Sequence, residues 1–238
     1  MFSIRNKLLP LFLLLLLTAV SSLNAFAQIT SVNHDPVYGF DHLLYNGKVY
    51  SYYPVPGTKG TQYLFDTFDS LGSITVRGVT YTNLSLNYDI YNQLLILKYK
   101  NAIGSQSMIE ISYAWLEKAS LWGINFETFT KPNSAKRLYQ VIGNGDNRIL
   151  YYRSKELLID NFKSTKNHYF SSGRKEMYVM TNGIFISFNN NKGFVKAFNQ
   201  SNQSFIKAYL HKYDINVKTA SDISMTDLIT YCNRLPGS

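Results

Sequence analysis

Residues 84–99 constrain the fold most, because their hydrophobic pattern is that of a β-strand whose character changes halfway. In the first half, apolar residues alternate with polar ones: Leu84, Leu86, Tyr88 and Ile90 against Ser85, Asn87 and Asp89. Successive side chains of a strand point to opposite faces, so one row faces inward and the polar row, with Asp89, faces solvent. Residues 94–97 are all apolar, which predicts a strand buried on both faces or covered by a helix.

Hairpin signals recur along most of the chain. Asn46-Gly47 and Asn182-Gly183 favour type I′ turns, so we expect residues 43–45 and 48–53 to form one hairpin. Gly78 supplies a turn between residues 73–77 and 79–81. Residues 121–129 show apolar alternation and predict a single strand. The remaining expected strands are 62–65, 108–115, 138–142, 148–153, 156–160, 168–170, 176–181 and 184–188.

The C-terminal part changes to helical periodicity. We expect helices over residues 191–198 and 201–213, and a last helix that opens at Ser224 and ends before Pro236-Gly237. The expected apolar faces are Phe205, Ile206, Tyr209, Leu210 and Tyr213 on one helix, and Met225, Leu228, Ile229, Cys232 and Leu235 on the other. Because neither face can be buried alone, the helices must pack on the sheet, and residues 94–97 are the expected target.

The N-terminal 27 residues have the organisation of a secretory signal peptide. Arg5 and Lys7 precede an apolar segment, and Ala25-Phe26-Ala27 forms a small-residue cleavage box. Cleavage after Ala27 leaves one domain, residues 28–238, with its C-terminal helices within 191–235. No later apolar segment approaches the roughly 20 residues of a transmembrane helix. We expect an exported protein, in the periplasm, at the outer envelope or outside the cell.

Together these patterns predict an α+β, mainly β fold. Many short hairpin-connected strands form a curved antiparallel sheet, and two or three C-terminal helices pack on it. Charge is uneven: residues 28–132 carry seven Lys/Arg and eight Asp/Glu, whereas residues 133–238 carry fifteen and seven. The basic half suits either an anionic surface or plain solubility.

No recognised catalytic or metal motif is present, and no cofactor is expected. Cys232 is the only cysteine and lies on an apolar helix face, which favours a buried structural thiol. His34-Asp35 and Asp41-His42 lack a metal-ligand spacing and fit a polar arm, and His211 fits a solvated helix face. The acids that a glycosidase could pair are Asp66, Asp69, Asp89, Glu110, Glu117 and Glu127, but nothing in the sequence pairs any two.

Tyrosine and phenylalanine are abundant, with 19 and 15 copies. Exposed rings can stack on sugars or line an apolar cavity, whereas rings on strands serve cross-strand packing. We expect the packing role for the aromatic residues of the first half. Nucleic acid is not an expected partner, because the chain has a leader for export and no compact basic-aromatic motif.

The segment Gly78-Val79-Thr80-Tyr81 … Leu86-Asn87-Tyr88-Asp89-Ile90-Tyr91-Asn92 resembles a group of secreted Gram-negative bacterial proteins that have no assigned activity. The end of the leader, Ala25-Phe26-Ala27-Gln28, is similar to theirs as well. The resemblance implies a periplasmic or envelope location, and it carries no site residues.

Three functions remain open from the sequence. The first is a non-enzymatic exported protein that binds a ligand or partner: an apolar or lipid-like ligand in the curve of the sheet, a glycan or an envelope protein. The second is a secreted hydrolase with an unrecognised carboxylate pair. The third is a structural component of an envelope assembly. No catalytic, cofactor or metal residue is assigned.

Overall fold

The computed structural model describes residues 29–31, 41–45, 47–101, 103–160 and 167–237. The leader, His34 and Asp35 lie outside these residues. The strands are β1 Ile29–Ser31, β2 Leu71–Val76, β3 Val79–Asp89, β4 Leu94–Lys100, β5 Gln106–Glu110, β6 Leu116–Leu121, β7 Ile124–Thr130, β8 Lys136–Ile142, β9 Asn147–Ser154, β10 Leu157–Asp160, β11 Asn167–Phe170, β12 Arg174–Thr181 and β13 Ile184–Phe188. The helices are α1 Asn191–Lys196, α2 Gln200–Lys212 and α3 Asp222–Asn233.

Two antiparallel meanders join into one large sheet. Its strand order is β5-β4-β3-β2-β6-β7-β8-β9-β12-β13, and the β2–β6 pair connects the two halves. The short β1 runs parallel to β3 beside this series, and β10 pairs with β11 separately. The sheet is not closed. The predicted fold class, mainly β with C-terminal helices, is confirmed.

The first half of the sheet rolls around its own core. Tyr88 on β3 and Phe126 on β7 are separated by β2 and β6, which would put them about 14 Å apart on a flat sheet. Their ring centroids lie only 5.8 Å apart. The strands therefore curve strongly, and the buried apolar side chains of β2 to β8 fill the curve as a first core.

The helices bury a second core at the other end of the sheet. Their apolar faces pack on Ile142, Ile149, Tyr151, Val179 and Phe188, which belong to β8, β9, β12 and β13. The expected docking on residues 94–97 is wrong. Leu95 and Leu97 enter the first core, and Ile96 on the opposite face is buried as well.

A loop, and not a helix, covers the outer face of β3 and β4. Asn87 lies opposite Ile96, and its Nδ2 donates to the carbonyls of Phe65 and Thr67 at 2.8 and 2.9 Å. The polar row of residues 84–90 is therefore turned toward this covering loop. Both Asn87 and Asp89 are 0% exposed, so the prediction that Asp89 is solvated is wrong.

Several expected strands differ in their turns. Residues 48–50 do not fold back on 43–45, because Val49 bridges to Ile109 on β5. The expected strand 121–129 is in fact two strands, and the chain reverses at Trp122-Gly123 with φ of 52° and 75°. Residues 79–81 and 84–89 form one continuous strand, and β5 ends at Glu110, short of the predicted 115.

The helices of the C-terminal region are confirmed, with shifted ends and faces. α3 begins three residues earlier than predicted, where Ser221 accepts a hydrogen bond from the backbone N–H of Ser224. Its predicted apolar face is buried except for Leu235, which lies beyond the helix and is partly buried. On α2 only Ile206 and Leu210 of the predicted face are buried. Among the described residues, no helix has the length and apolar character needed to span a membrane.

Candidate binding groove

An open groove lined with aromatic rings lies at the β4–β5 end of the sheet. Its volume is about 660 Å³. We call it the tyrosine groove and define it by its aromatic and polar lining residues: Tyr50, Tyr53, Tyr63, Phe68, Tyr99, Asp66, Lys98, Gln106 and Ser107. Tyr99 and Lys98 come from β4 and Gln106 from β5, whereas the other rings come from two irregular segments that precede β2.

The first of these segments is held against the sheet edge by backbone pairing. Tyr50 N–H donates to the Met108 carbonyl at 3.0 Å, and Glu110 N–H donates to the Lys48 carbonyl at 2.8 Å. A Cβ at Gly47 would lie 1.8 Å from the carbonyl oxygen of Glu110, so this position requires glycine for close approach. The glycine that signalled a hairpin turn thus positions one wall of the groove.

The floor of the groove rests on the buried carboxylate of Asp89. Tyr50 Oη and Asn92 Nδ2 donate to its Oδ2 at 2.7 and 2.8 Å. The backbone N–H groups of Tyr91 and Asn92 donate to its Oδ1 at 3.0 and 2.8 Å. Four donors satisfy a carboxylate that would otherwise be costly to bury, and they fix the direction of the Tyr50 ring.

The second segment is tied down by Lys155 and by the end of β3. Lys155 Nζ donates to the carbonyls of Thr61 and Tyr63 at 2.8 and 2.6 Å. Burial lowers the pKa of Lys155, because the charged ammonium is partly removed from water. Leu64 N–H donates to the Tyr88 carbonyl at 2.8 Å, so the predicted strand 62–65 is realised as a single bridge to β3.

The rings of the groove contact one another and leave surface for a ligand. Tyr63 lies 6.4 Å from Tyr50 and 5.3 Å from Phe68, centroid to centroid, and Lys98 Nζ lies 5.7 Å from the Phe68 centroid. Tyr53 is 75% exposed. Burial raises the pKa of both Tyr50 and Tyr63, so their hydroxyls remain neutral hydrogen-bonding groups. Rings with polar edges can stack on a ligand and also hydrogen-bond with it.

The structure also places the residues that sequence analysis weighed for chemistry. Cys232 is fully buried in the second core, and burial raises the pKa of its thiol to about 12. Asp41 accepts hydrogen bonds from Leu43 N–H and Tyr81 Oη, and His211 is exposed as expected. Within the described ranges, no group of three or more His, Cys, Asp or Glu side chains could hold a metal ion.

Four grooves formed by described residues are each lined by a single acidic side chain. The tyrosine groove is lined by Asp66 alone among acids, and a groove on the sheet face by Glu127 alone. Two grooves along α3 are each lined by one acid, Asp222 or Asp227. Glu127 pairs instead with Arg148 at 2.8 Å.

Sequence reasoning missed the tyrosine groove because it assigned the aromatic residues to cross-strand packing. Tyr53, Tyr63 and Phe68 lie outside the regular strands, in the part of the chain before β2 that Pro54, Pro56, Gly57 and Gly60 interrupt. The sequence did contain a signal for the groove: aromatic residues that occur among proline and glycine, where no regular strand is expected.

Comparison of the chain with protein-family models, with curated proteins and with solved structures finds no significant match.

Proposed function

We propose that this protein is an exported, non-enzymatic binding protein that holds a glycan chain in the tyrosine groove. The observation that carries the proposal is the set of rings around an open channel, with Asp66, Lys98 and Gln106 beside them. Sugar rings present apolar faces that stack on aromatic side chains, and their hydroxyls need hydrogen-bond partners at the edges. The groove offers both kinds of contact.

The place that we first expected for an apolar ligand is occupied. Buried side chains such as Leu86, Tyr88 and Phe126 fill the curve of the sheet. The tyrosine groove is open to solvent, and its lining mixes rings and the apolar side chains of Val49 and Met108 with charged and amide groups. A hydrocarbon chain would remain partly exposed to water there, which reduces the favourable free energy from burying its apolar surface. These properties support a sugar over a lipid.

A glycosidase would need two convergent carboxylates flanking the bond that it cleaves. The tyrosine groove has Asp66 as its one acid among the described residues, and Asp89 beneath it is shielded by four hydrogen bonds. This arrangement supports binding without hydrolysis as the function of the groove.

The proposal is tested with three neutral hexasaccharides: cellohexaose, chitohexaose and maltohexaose. We expect saturation-transfer NMR to detect at least one of them and calorimetry to give its affinity. Tyr53→Ala removes an exposed ring and should weaken binding about three- to tenfold, the range of one aromatic stacking contact. Tyr213→Ala removes another exposed ring, at the residue that follows α2, and should leave the affinity unchanged.

A lipid-like ligand is the competing result. In that case palmitate would displace a fluorescent apolar dye from the native protein but not from Tyr53→Ala, and no hexasaccharide would bind. The ligand of the groove would then be a lipid and not a glycan. Equal binding by the Tyr53 and Tyr213 variants would remove the groove from the proposal. Export is tested separately: the mature protein from a Gram-negative host should begin at Gln28 by mass spectrometry.

A further inference from the structure

A second polar cluster lies on the helix side of the sheet, away from the tyrosine groove. Arg153 on β9 and Lys175 on β12 are register partners, so both side chains rise from the same face of the sheet. Both cations lie near the ring of Tyr151: Lys175 Nζ is 4.3 Å and Arg153 Cζ is 5.9 Å from its centroid. Asp222, the first residue of α3, and Gln140 on β8 complete the cluster.

The hydrogen bonds of this cluster leave both cations short of acceptors. Arg153 Nε donates to Gln140 Oε1 at 2.6 Å, and Gln140 Nε2 donates to Asp222 Oδ2 at 2.6 Å. Arg153 Nη2 is 4.0 Å from that same Oδ2, beyond hydrogen-bonding distance. Among the described residues, no carboxylate lies within 4.0 Å of Lys175 Nζ. The cluster thus contains two cations and one carboxylate, and neither cation is within hydrogen-bonding distance of it.

The hydroxyl of Tyr151 supplies an independent observation. Tyr151 is 0% exposed, and its Oη has no hydrogen-bond partner among the described residues. A buried donor without an acceptor costs about 1–3 kcal/mol, so native structures seldom keep one without a reason. Burial is the main cause that raises the pKa of Tyr151, and the negative charge of Asp222 raises it further. The hydroxyl is therefore a protonated donor, and it lies near enough to Asp222, the first residue of α3, for that charge to act on it.

The first turn of α3 adds a further positive potential. Ser221 caps the N–H of Ser224, and the aligned peptide dipoles of this 12-residue helix place a partial positive charge at Asp222. The Asp222 carboxylate offsets part of this potential, but Gln140 Nε2 also donates to it. What remains is one net positive charge beside an unpaired hydroxyl, an arrangement complementary to an oxyanion.

We infer that Lys175, Arg153 and the hydroxyl of Tyr151 form a binding site for an oxyanion (a carboxylate, sulfate or phosphate) at the N-terminus of α3. This site is independent of the tyrosine groove and of its proposed ligand. Lys175 supplies an ammonium point charge, Arg153 supplies guanidinium N–H groups, and Tyr151 donates its hydroxyl proton in a hydrogen bond.

A polar cleft of about 580 Å³ runs along α3 and shares Gln140 and Asp222 with this cluster. Gln140 and Asp222 line one end, and Thr226, Thr230 and Asn233 continue along the helix at spacings that share one face. The oxyanion can therefore belong to a larger polar molecule, such as an acidic sugar, or be free in solution. Both sources present the same chemistry to Lys175 and Arg153.

The test uses the whole mature chain and three salts at equal ionic strength: sodium phosphate, sodium glucuronate and sodium chloride. We expect phosphate and glucuronate, but not chloride, to raise the thermal unfolding midpoint in a saturable way. Lys175→Gln should raise the dissociation constant for phosphate at least tenfold, and Tyr151→Phe should weaken binding severalfold. Lys118→Gln removes an exposed lysine of the same sheet and should change nothing.

Tighter binding of glucuronate than of phosphate would identify an acidic ligand that also occupies the cleft, and the reverse would identify a free anion. Equal stabilisation by chloride would overturn the inference, because it would show general screening. Unchanged phosphate affinity in Lys175→Gln, in a variant whose circular dichroism is native, would overturn it as well. Tyr151→Phe with unchanged affinity would remove the hydroxyl from the site and contradict its assignment.

Discussion

Tyr50 Oη lies 2.7 Å from Asp89 Oδ2, and this hydrogen bond joins the irregular segment that forms one wall of the tyrosine groove to the end of β3. Both residues are buried, at 2% and 0% exposure. Gln62 Nε2 donates in turn to Tyr50 Oη at 3.2 Å, so the second groove segment joins the same network. A buried carboxylate saturated with donors therefore organises the groove and is itself shielded from a ligand.

Asp89→Asn should destabilise the protein by about 2–4 kcal/mol, because its new amide would face the donors Tyr50 Oη and Asn92 Nδ2. Tyr50→Phe removes one charge-assisted hydrogen bond and should cost about 1.5–3 kcal/mol. Urea unfolding measures both, and the double variant should cost less than the sum. Tyr53→Phe, at an exposed site, should stay within about 0.5 kcal/mol. Additive losses would contradict a shared network.

Gly47→Ala should detach the outer wall of the groove, since its Cβ would meet the Glu110 carbonyl at 1.8 Å. We expect a loss of about 1–3 kcal/mol, typical of forced overpacking, and weaker ligand binding. Gly173→Ala is the matched control, because its Cβ would meet only Ile90 Cδ1 at 3.8 Å. Hydrogen exchange should show faster opening of the Tyr50 amide in Gly47→Ala alone. Native protection there would contradict this role of Gly47.

The regular parts of the fold followed from the sequence because their signals are local. Asn182-Gly183 forms the turn between β12 and β13 as expected, with φ of 48° and 77°. The same signal at Asn46-Gly47 predicted a hairpin that does not form, because Gly47 lies against the backbone of a strand more than sixty residues away. Trp122 took a positive φ that its apolar character did not suggest. A tertiary contact decided the position of Gly47, whereas Trp122 and Gly123 form a local turn between β6 and β7.

The candidate site was less accessible to sequence reasoning for a related reason. Alternation places Asp89 on the polar side of β3, but it does not show that residues 61–68 return to cover that side. The helices likewise pack on the β8–β13 end of the sheet and not on residues 94–97, although Ile96 is buried as well. Periodicity reports which face is apolar, and it does not report what packs there.

Asn233→Ala should loosen α3 from the sheet. Asn233 Oδ1 accepts from the backbone N–H and the Nδ2 of Asn147, and its Nδ2 donates to the Asn147 carbonyl. Because Asn147 is buried, we expect a loss of about 2–4 kcal/mol and faster hydrogen exchange in α3. Thr230→Ala, one turn earlier on the same helix, should stay within about 0.5 kcal/mol. Equal effects of the two substitutions would contradict the network.

The stability of the protein should fall above about pH 10, because its buried tyrosines lose their protons less readily in the folded protein than in the unfolded chain. Burial raises the pKa of several phenols above the unfolded value of about 10; they are Tyr50, Tyr81, Tyr88, Tyr113, Tyr151 and Tyr178. The unfolded chain releases these protons first, so alkaline pH favours it. Lys155 and Lys175, whose pKa values are lowered, act with the opposite sign but are fewer.

Spectrophotometric titration at 295 nm should therefore show two classes of tyrosine. The exposed class should ionise reversibly near pH 10, the range of an unperturbed phenol. The buried class should ionise only together with unfolding, which circular dichroism would record as a cooperative transition at higher pH. The Cys232 thiol, whose pKa burial raises to about 12, should become reactive toward a disulfide reagent in that same transition. Ionisation of all 19 tyrosines in one reversible step, with the fold intact, would contradict the buried network.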